Sequence, residues 1–295
     1  MPRAAVLSLH ARVEGIGPSA WEDPALVQVW GPRYSAYVVP REDMAAFTLG
    51  RLPADARGRT RAEEIADRIE AFLGGRQLTA TEIGRGLRIH PNALRYAAPT
   101  GRILIRWDGA RKPTVWTTPA PQIEPEAARL DLARRHLAFF GPTTPAAFAE
   151  WAGIKPPLAQ GAYDGLAGEL AAIRTPMGDA WILEADEPSL RAPAGPEAPV
   201  RFLPSGDTYY LLQGADRELL VPDPDERARL WTSRVWPGAL LVDGEIVGSW
   251  RRAEANITVD AWQRLSDAGR EAIEAEAATL PLPGLKRPIS VRLLN

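Results

Sequence analysis

Residues Thr60 to Thr117 read TRAEEIADRIEAFLGGRQLTATEIGRGLRIHPNALRYAAPTGRILIRWDGARKPTVWT, and this stretch decides the predicted fold. Its opening residues, Thr60-Arg-Ala-Glu63, match the capping-box pattern with which many helices begin. Apolar residues then recur at helical spacing until Gly74-Gly75, a pair that ends a helix. The stretch therefore begins with an amphipathic helix.

A second capping box, Thr79-Ala-Thr-Glu82, starts a short helix. Pro91 suits the first turn of a third helix, which covers Asn92 to Ala98. Two apolar strands then flank Asp108-Gly109, a dipeptide typical of hairpin turns. Three helices followed by a hairpin are the element order of a winged helix, which is predicted over residues 58–120.

The same order of elements returns over residues 121–190. A helix is predicted from Pro125 to Phe140, a second from Thr144-Pro145 to Trp151, and a third from about Leu158 to Leu170. A hairpin that turns at Met177-Gly-Asp179 follows. The architecture is repeated without repetition of the residues, and it predicts tandem winged helices.

The two ends of the chain depart from this pattern. Residues 191–295 contain two strands around Asp243-Gly244 and a helix capped by Ser266, which predicts a β-rich C-terminal module. Residues 1–57, with a short helix predicted near Pro24 to Trp30, are interpreted as an incomplete N-terminal segment, the remnant of a first winged helix and its connector. The predicted class is α+β, with tandem winged-helix (helix-turn-helix) domains and a β-rich C-terminal module.

Composition excludes several classes of protein. The 295 residues are 45% hydrophobic and 24% charged, which is ordinary for a soluble globular protein. No apolar run approaches the ~18 to 20 residues that span a bilayer, so a cytoplasmic protein without membrane contact is expected. The absence of cysteine excludes disulfides, thiol nucleophiles and cysteine-held metals.

The sequence contains no catalytic constellation. His10, His90 and His136 are isolated, with no second ligand at metal-binding spacing, and His136 is predicted on the polar face of its helix. Zinc-binding helix, nucleophile-elbow and phosphate-loop motifs are absent from it. No catalytic residue, metal or cofactor is therefore predicted.

Charge is unevenly distributed along the chain. The net charge is −2, yet residues 84–112 hold seven cations against one carboxylate, while residues 254–276 hold six carboxylates against two arginines. A local excess of this kind is typical of a face that meets polyanions. A solvated basic patch would give the same pattern, so charge alone leaves both readings open.

Four ordered segments resemble one family, the winged-helix DNA-binding family that includes the AlkZ- and YcaQ-type DNA glycosylases. The segments are Leu203-Pro-Ser-Gly-Asp-Thr-Tyr-Tyr-Leu-Leu212 with Asp216-Arg217, Leu240 to Arg252, Arg135 to Gly153, and Val29-Trp-Gly-Pro-Arg33. Tyr34-Ser35 replaces the family's usual Gly-Thr, and Ser205-Gly206 replaces its x-Phe. The resemblance covers nearly the whole chain.

The resemblance implies hydrolysis of the N-glycosidic bond of an alkylated purine, without a metal. In the family, a Gln-x-Gln or Gln-x-Asp pair is proposed to position water and to stabilise the sugar cation. The pair stands just before the segment that Pro2 to Arg12 resembles, and it is not found in this sequence. Enzyme activity is therefore left open, and we expect no base release from N7-alkylguanine DNA by the 295-residue chain.

The expected partner is double-stranded DNA, alkylated or crosslinked, bound by a monomeric, nucleoid-associated bacterial protein of DNA repair. Two alternatives stay open at this point. One is a transcriptional regulator or lesion-binding protein without enzyme activity. The other is a winged-helix module that binds other proteins.

Candidate DNA contacts follow from winged-helix geometry, in which the third helix enters the major groove and the hairpin rests on backbone or minor groove. The candidates are Arg95 on the third helix, Arg102 and Arg106 on one strand face, Arg111 and Lys112 at the hairpin turn, and Arg251 and Arg252 in the C-terminal strands. Ion pairing with carboxylates of the neighbouring modules is the alternative role for Arg102 and Arg106.

Overall fold

The computed structural model describes residues 2–108, 112–193, 200–211, 216–282, 284–285 and 287–294. The chain divides into two compact units. The first contains Met1–Pro2 and Glu22–Arg191, and the second contains Arg3–Trp21 and Ala192–Asn295. Helices and strands occur in both units, so the α+β class is confirmed. None of the described helices is long and apolar enough to cross a membrane.

The α-helices are α1 (Pro2–His10), α2 (Met44–Thr48), α3 (Ala56–Leu73), α4 (Ala80–Leu87), α5 (Pro125–Phe140), α6 (Pro145–Ala152), α7 (Pro156–Gly165), α8 (Glu187–Arg191), α9 (Asp216–Leu220), α10 (Pro224–Leu230) and α11 (Asp267–Thr279). The strands are β1 (Leu26–Trp30), β2 (Ala36–Pro40), β3 (Leu78–Thr79), β4 (Ile103–Arg106), β5 (Thr114–Thr117), β6 (Leu170–Thr175), β7 (Gly178–Leu183), β8 (Arg201–Leu203), β9 (Gly238–Val242), β10 (Glu245–Ala253), β11 (Asn256–Ala261) and β12 (Ser290–Leu294). A ten-residue 3-10 helix, Pro91–Thr100, lies between α4 and β4.

The first unit is built around a five-stranded sheet of order β2-β1-β4-β5-β3. The predicted hairpin is present as β4 and β5, and β3 pairs with β5 on the far side, with Leu78 opposite Val115. Helices α3 and α4 and the 3-10 helix bury Ile69, Ile83 and Leu94 against this sheet. The outer edge of β4 is joined to β1, where Gln28 lies opposite Ile105.

The start of α3 differs from the prediction. The side chain of Asp55 accepts a hydrogen bond from the Gly58 backbone N–H at 2.8 Å, so the helix begins at Ala56. Thr60 lies inside the helix, and the predicted capping box there is wrong. An N-cap that satisfies the first free N–H groups sets the start of a helix, and Asp55 does so one turn earlier.

The helix predicted near residues 24–30 is also wrong, because Leu26–Trp30 forms β1. Val27, Val29 and Trp30 are all buried, so the strand lacks the alternation of a half-exposed strand. The sequence of a short apolar segment that is buried on both faces does not distinguish a helix from a strand. Pairing with β2 on one side and β4 on the other decides the outcome.

The remainder of the first unit contains α5, α6, α7 and the β6–β7 hairpin. The predicted bounds of α5 are confirmed, whereas α7 ends at Gly165 and Leu170 already belongs to β6. Thr143 forms an isolated antiparallel bridge with Trp181 of β7, which joins the residues before α6 to the two-stranded hairpin. Leu132, Leu137 and Phe148 are buried in this part.

The second unit is a five-stranded sheet of order β12-β11-β10-β9-β8 with helices against it. Its core joins Leu7 of α1 and Ile273 of α11 to Phe202 and Trp250 of the sheet. Strand β11 was not predicted. Residues 1–57 contribute to both units, while residues 58–190 lie in the first; the division into four segments stays a prediction.

Candidate nucleic-acid interface

The turn between α4 and the 3-10 helix is fixed by local hydrogen bonds. The predicted capping box at Thr79 is confirmed: its hydroxyl accepts from the Glu82 N–H at 3.2 Å, and the Glu82 carboxylate accepts from the Thr79 N–H at 2.8 Å. The Thr79 hydroxyl also donates to the Glu82 carboxylate at 2.6 Å, and this bond together with that from the Thr79 N–H holds the pKa of Glu82 below its usual range. Helix α4 ends at Arg88 in the left-handed region, and the imidazole of His90 accepts from the Asn92 N–H at 3.1 Å.

Three cations lie exposed around this turn and the hairpin: Arg85, Arg88 and Lys112. None of them forms an ion pair with a described residue. Cations outside close ion pairs add positive charge to the local field, and phosphate can approach them without displacing a paired carboxylate. Lys112 was among the predicted contacts; Arg85 and Arg88 were noted only in the basic segment.

Arg95 lies half-buried on the 3-10 helix. Its guanidinium donates to the side-chain oxygen of Asn92 at 3.2 Å, and its Nε is buried without a hydrogen-bond partner. The residue is therefore held against the helix by its neighbour one turn earlier. Asn92 and Tyr96 are the more exposed residues of this helix.

Arg102 forms ion pairs with two carboxylates of α3. It pairs with Asp67 at 2.7 Å and with Glu70. Partial burial lowers the pKa of Arg102, but the hydrogen bonds from it to Glu70 and Asp67 outweigh this, and the pKa is raised overall. Two carboxylates neutralise the charge of this arginine, which weakens its electrostatic attraction for a polyanion.

Arg106 also faces a carboxylate, that of Glu22, at 3.0 Å. Both side chains are about half exposed, and such pairs contribute only about 0–1 kcal/mol to stability. Glu22 lies outside residues 58–120, as the alternative role for Arg106 supposes. Asp67 and Glu70, by contrast, lie in the same predicted winged helix as Arg102. A role in DNA contact stays a prediction for both.

The other predicted contacts lie elsewhere. Arg111 lies outside the described residues. Arg251 and Arg252 are neighbours on β10 in the second unit, so their side chains leave opposite faces of the strand. Arg251 donates to the Val235 carbonyl at 3.1 Å, and Arg252 donates to the Glu254 carbonyl at 2.6 Å.

A stack of aromatic and cationic side chains was missed by the sequence reasoning. The rings of Tyr34 and Tyr96 meet edge to face with centroids 5.1 Å apart. The guanidinium of Arg51 lies 4.8 Å from the Tyr34 centroid, and that of Arg61 lies 4.6 Å from the Tyr96 centroid. We call these four residues the tyrosine–arginine stack. The available signal was Tyr34 at a position where the resembling family has glycine.

The backbone beneath this stack is strained. Arg33 and Tyr34 have φ angles of 52° and 58°, both in the left-handed region. For residues with a Cβ this conformation costs roughly 1–2 kcal/mol each. The turn that they form between β1 and β2 is closed by the Gly31 N–H, which donates to the Ser35 carbonyl at 2.9 Å.

The three histidines have different surroundings: His10 Nε2 lies 3.8 Å from a Glu276 carboxylate oxygen, His90 caps the 3-10 helix, and His136 is buried. His136, predicted on a polar face, is 2% exposed, and that prediction is wrong. Its ring lies 5.1 to 5.2 Å from the rings of Phe140, Phe148 and Trp151. Burial lowers its pKa to about 3. Among the described residues, no group of three or more His, Asp or Glu side chains could hold a metal ion.

Comparison with known proteins gives a family and a solved structure of similar fold. A family model described as DNA glycosylase AlkZ-like matches residues 1–281, while no curated protein matches the chain. The solved structure of the Streptomyces sahachiroi DNA glycosylase AlkZ is similar, with a TM-score of 0.76 and 20% identity over 99% of this chain and 90% of that chain. The DIP2311 protein from Corynebacterium diphtheriae has a TM-score of 0.18 and 17% identity over 46% of this chain and 28% of that chain. Because the family model covers nearly the whole sequence, the chain belongs to the AlkZ-like DNA glycosylase family.

Proposed function

We propose that this protein binds double-stranded DNA through a winged helix formed by α3, β3, α4, the 3-10 helix and the β4–β5 hairpin. The observation that carries the proposal is the set of unpaired exposed cations, Arg85, Arg88 and Lys112, grouped around the helical turn and the hairpin. A winged helix uses these two parts to contact the duplex. Helices α5 to α7 with β6 and β7 have the same order and form a second winged helix.

We propose alkylated or crosslinked duplex as the substrate class, because the family and the similar solved structure are named as DNA glycosylases. The protein acts as a monomer in this proposal. Catalysis is tested by release of free base from N7-methylguanine DNA against a no-enzyme control. Release above the control identifies a glycosylase; tight binding without release identifies a lesion-binding protein.

DNA binding is expected to be strongly salt-dependent. If several arginines and Lys112 contact phosphate, raising salt from ~50 to ~200 mM weakens binding at least ~10-fold, because each contact releases condensed counterions. Fluorescence anisotropy with duplexes of unrelated sequence measures this, and little sequence preference is expected. Binding that is absent at low salt, or that is independent of salt, would contradict the proposal and favour a protein-interaction module.

Changing Arg111 and Lys112 together to Ala is expected to flatten the slope of log affinity against log salt by about 1 to 2. The loss should be similar for all DNA sequences, because phosphate contacts carry no sequence information. A matched control changes Arg264 and Arg287, two exposed arginines of the second unit, to Ala. An unchanged salt slope in the Arg111→Ala, Lys112→Ala variant would contradict contact through the hairpin and favour Arg251 and Arg252 as the contact surface.

A further inference from the structure

The tyrosine–arginine stack keeps aromatic surface exposed beside the proposed DNA-binding helix. Tyr96 is 37% exposed and Tyr34 is half-buried, so neither ring is fully buried in the core. Tyr96 belongs to the 3-10 helix, and Arg61 reaches it from α3. Two of the four residues of the stack, Arg61 and Tyr96, therefore belong to the proposed winged helix.

The backbone at Tyr34 indicates that its ring has a use. Tyr34 occupies the left-handed region immediately after Arg33, which occupies it too. Glycine adopts this conformation without the steric cost that a tyrosine carries. Strained residues of this kind persist where the surroundings over-determine them and cluster at binding sites. A side chain kept at that cost, and left partly exposed, points to a ligand.

The two arginines of the stack indicate which kind of ligand it would bind. Arg61 forms no ion pair with a described residue and stays exposed. Arg51 is 4% exposed, donates to the carbonyls of Ala152 at 2.8 Å and Trp30 at 3.2 Å, and has no carboxylate partner among the described residues. Burial lowers its pKa to about 10, so it stays cationic at neutral pH. Two partly exposed rings beside the exposed cation Arg61, with the buried cation Arg51 against Tyr34, suit a ligand that is aromatic and anionic together.

A nucleotide has this combination, a planar base joined to a phosphate. Bases inside a paired duplex are covered on both faces by their neighbours, whereas an unpaired base can turn a face towards an aromatic side chain without the cost of unstacking a pair. Stacking of a base on an aromatic ring strengthens binding in a manner that tolerates any base, and a nearby arginine adds to it. We propose that Tyr34 and Tyr96 form a stacking site for an unpaired base of duplex DNA. The inference rests on the proposed function, since it requires that the winged helix meets DNA.

The test compares two duplexes that are identical except for one unpaired nucleotide in the second. Wild-type protein is expected to bind the duplex with the unpaired nucleotide about 10-fold more tightly than the fully paired one. In Tyr96→Ala and Tyr34→Gly the preference should fall to near one, while affinity for the paired duplex changes less than about two-fold. Tyr96→Phe should keep the preference, because stacking needs the ring and not the hydroxyl.

Tyr34→Gly separates loss of the site from loss of the fold. Relief of the strain at φ 58° offsets the entropy that glycine adds to the unfolded chain, so this variant is expected to unfold close to the temperature of wild type. The matched control is Phe139→Ala, which removes a 56% exposed aromatic ring from α5. It should leave the preference unchanged.

A second measurement reports on stacking directly. With 2-aminopurine as the unpaired base, wild type should quench its fluorescence on binding, and Tyr96→Ala should not. Wild type that binds paired duplex without preferring the unpaired nucleotide would overturn the stacking site alone. Wild type that binds neither duplex at low salt would overturn the proposed function as well. Equal preference in wild type, Tyr96→Ala and Tyr34→Gly would also overturn the stacking site.

Discussion

Lowering the pH from about 7.5 to about 5 is expected to reduce the free energy of unfolding of the first unit by about 2 kcal/mol through His136 alone. Burial lowers the pKa of this ring from its ordinary 6.5 to about 3. The unfolded chain takes up a proton below pH 6.5, whereas the folded ring stays neutral until about pH 3. The contribution is thus complete above pH 6.5 and is lost as the pH falls from 6.5 towards 3.

The variant His136→Phe isolates this effect. Phe suits the surroundings, since Phe140, Phe148 and Trp151 already pack on the ring, and it removes an Nδ1 that is buried without a partner. Denaturant unfolding followed by tryptophan fluorescence at both pH values gives the two free energies for each protein. The variant should lose about 2 kcal/mol less than wild type between them. An equal loss of free energy in both proteins would show that His136 has the same pKa in the folded and the unfolded state.

Removing the carboxylate of Asp207 is expected to destabilise the second unit by about 3 kcal/mol. Asp207 is 1% exposed and pairs with both terminal nitrogens of Arg12, at 2.7 and 3.0 Å. It also accepts from the Ser8 hydroxyl at 2.5 Å and from the Tyr209 N–H at 2.9 Å. Asp207→Ala therefore removes a buried charge, the cap of a 3-10 turn and the attachment of α1 together.

A double-mutant cycle tests this assignment. Arg12→Ala should also cost about 3 kcal/mol, because it leaves the buried carboxylate without its cation. The double variant should cost clearly less than the sum, since both changes break one interaction. Arg287→Ala, which breaks the exposed pair with Glu254, should cost below about 0.5 kcal/mol and serves as the control. Additive costs for Asp207 and Arg12 would contradict a direct coupling.

Features of the fold that depend on neighbouring residues could be predicted from the sequence. The capping box at Thr79, the cap at Ser266 and the bounds of Pro125–Phe140 follow from side chains within one turn of the helix end. These interactions are local, so they can be predicted from residues that are close together in the sequence. The error at Thr60 has the same origin, because two caps compete and Asp55 precedes it.

Features that depend on distant residues could not be predicted. Leu26–Trp30 becomes a strand through pairing with β4, far along the chain, and His136 is buried because α6 covers it. The candidate site shows the same limit. Arg102 is paired with carboxylates more than 30 residues away and Arg106 with one more than 80 away, and sequence spacing alone contains neither contact.

The helix α1 precedes the first unit along the chain, yet it packs in the second unit, whose sheet follows the first unit. Residues 22–191 form one continuous stretch and can fold as they leave the ribosome, because domains fold as units in the order of synthesis. Leu7 must wait for Phe202 and Trp250 before its apolar face is covered. In topological terms the first unit is an insertion into the second. A chain that is interrupted before residue 192 therefore displays α1 as an uncovered apolar helix, a feature by which quality-control proteins can recognise an unfinished product.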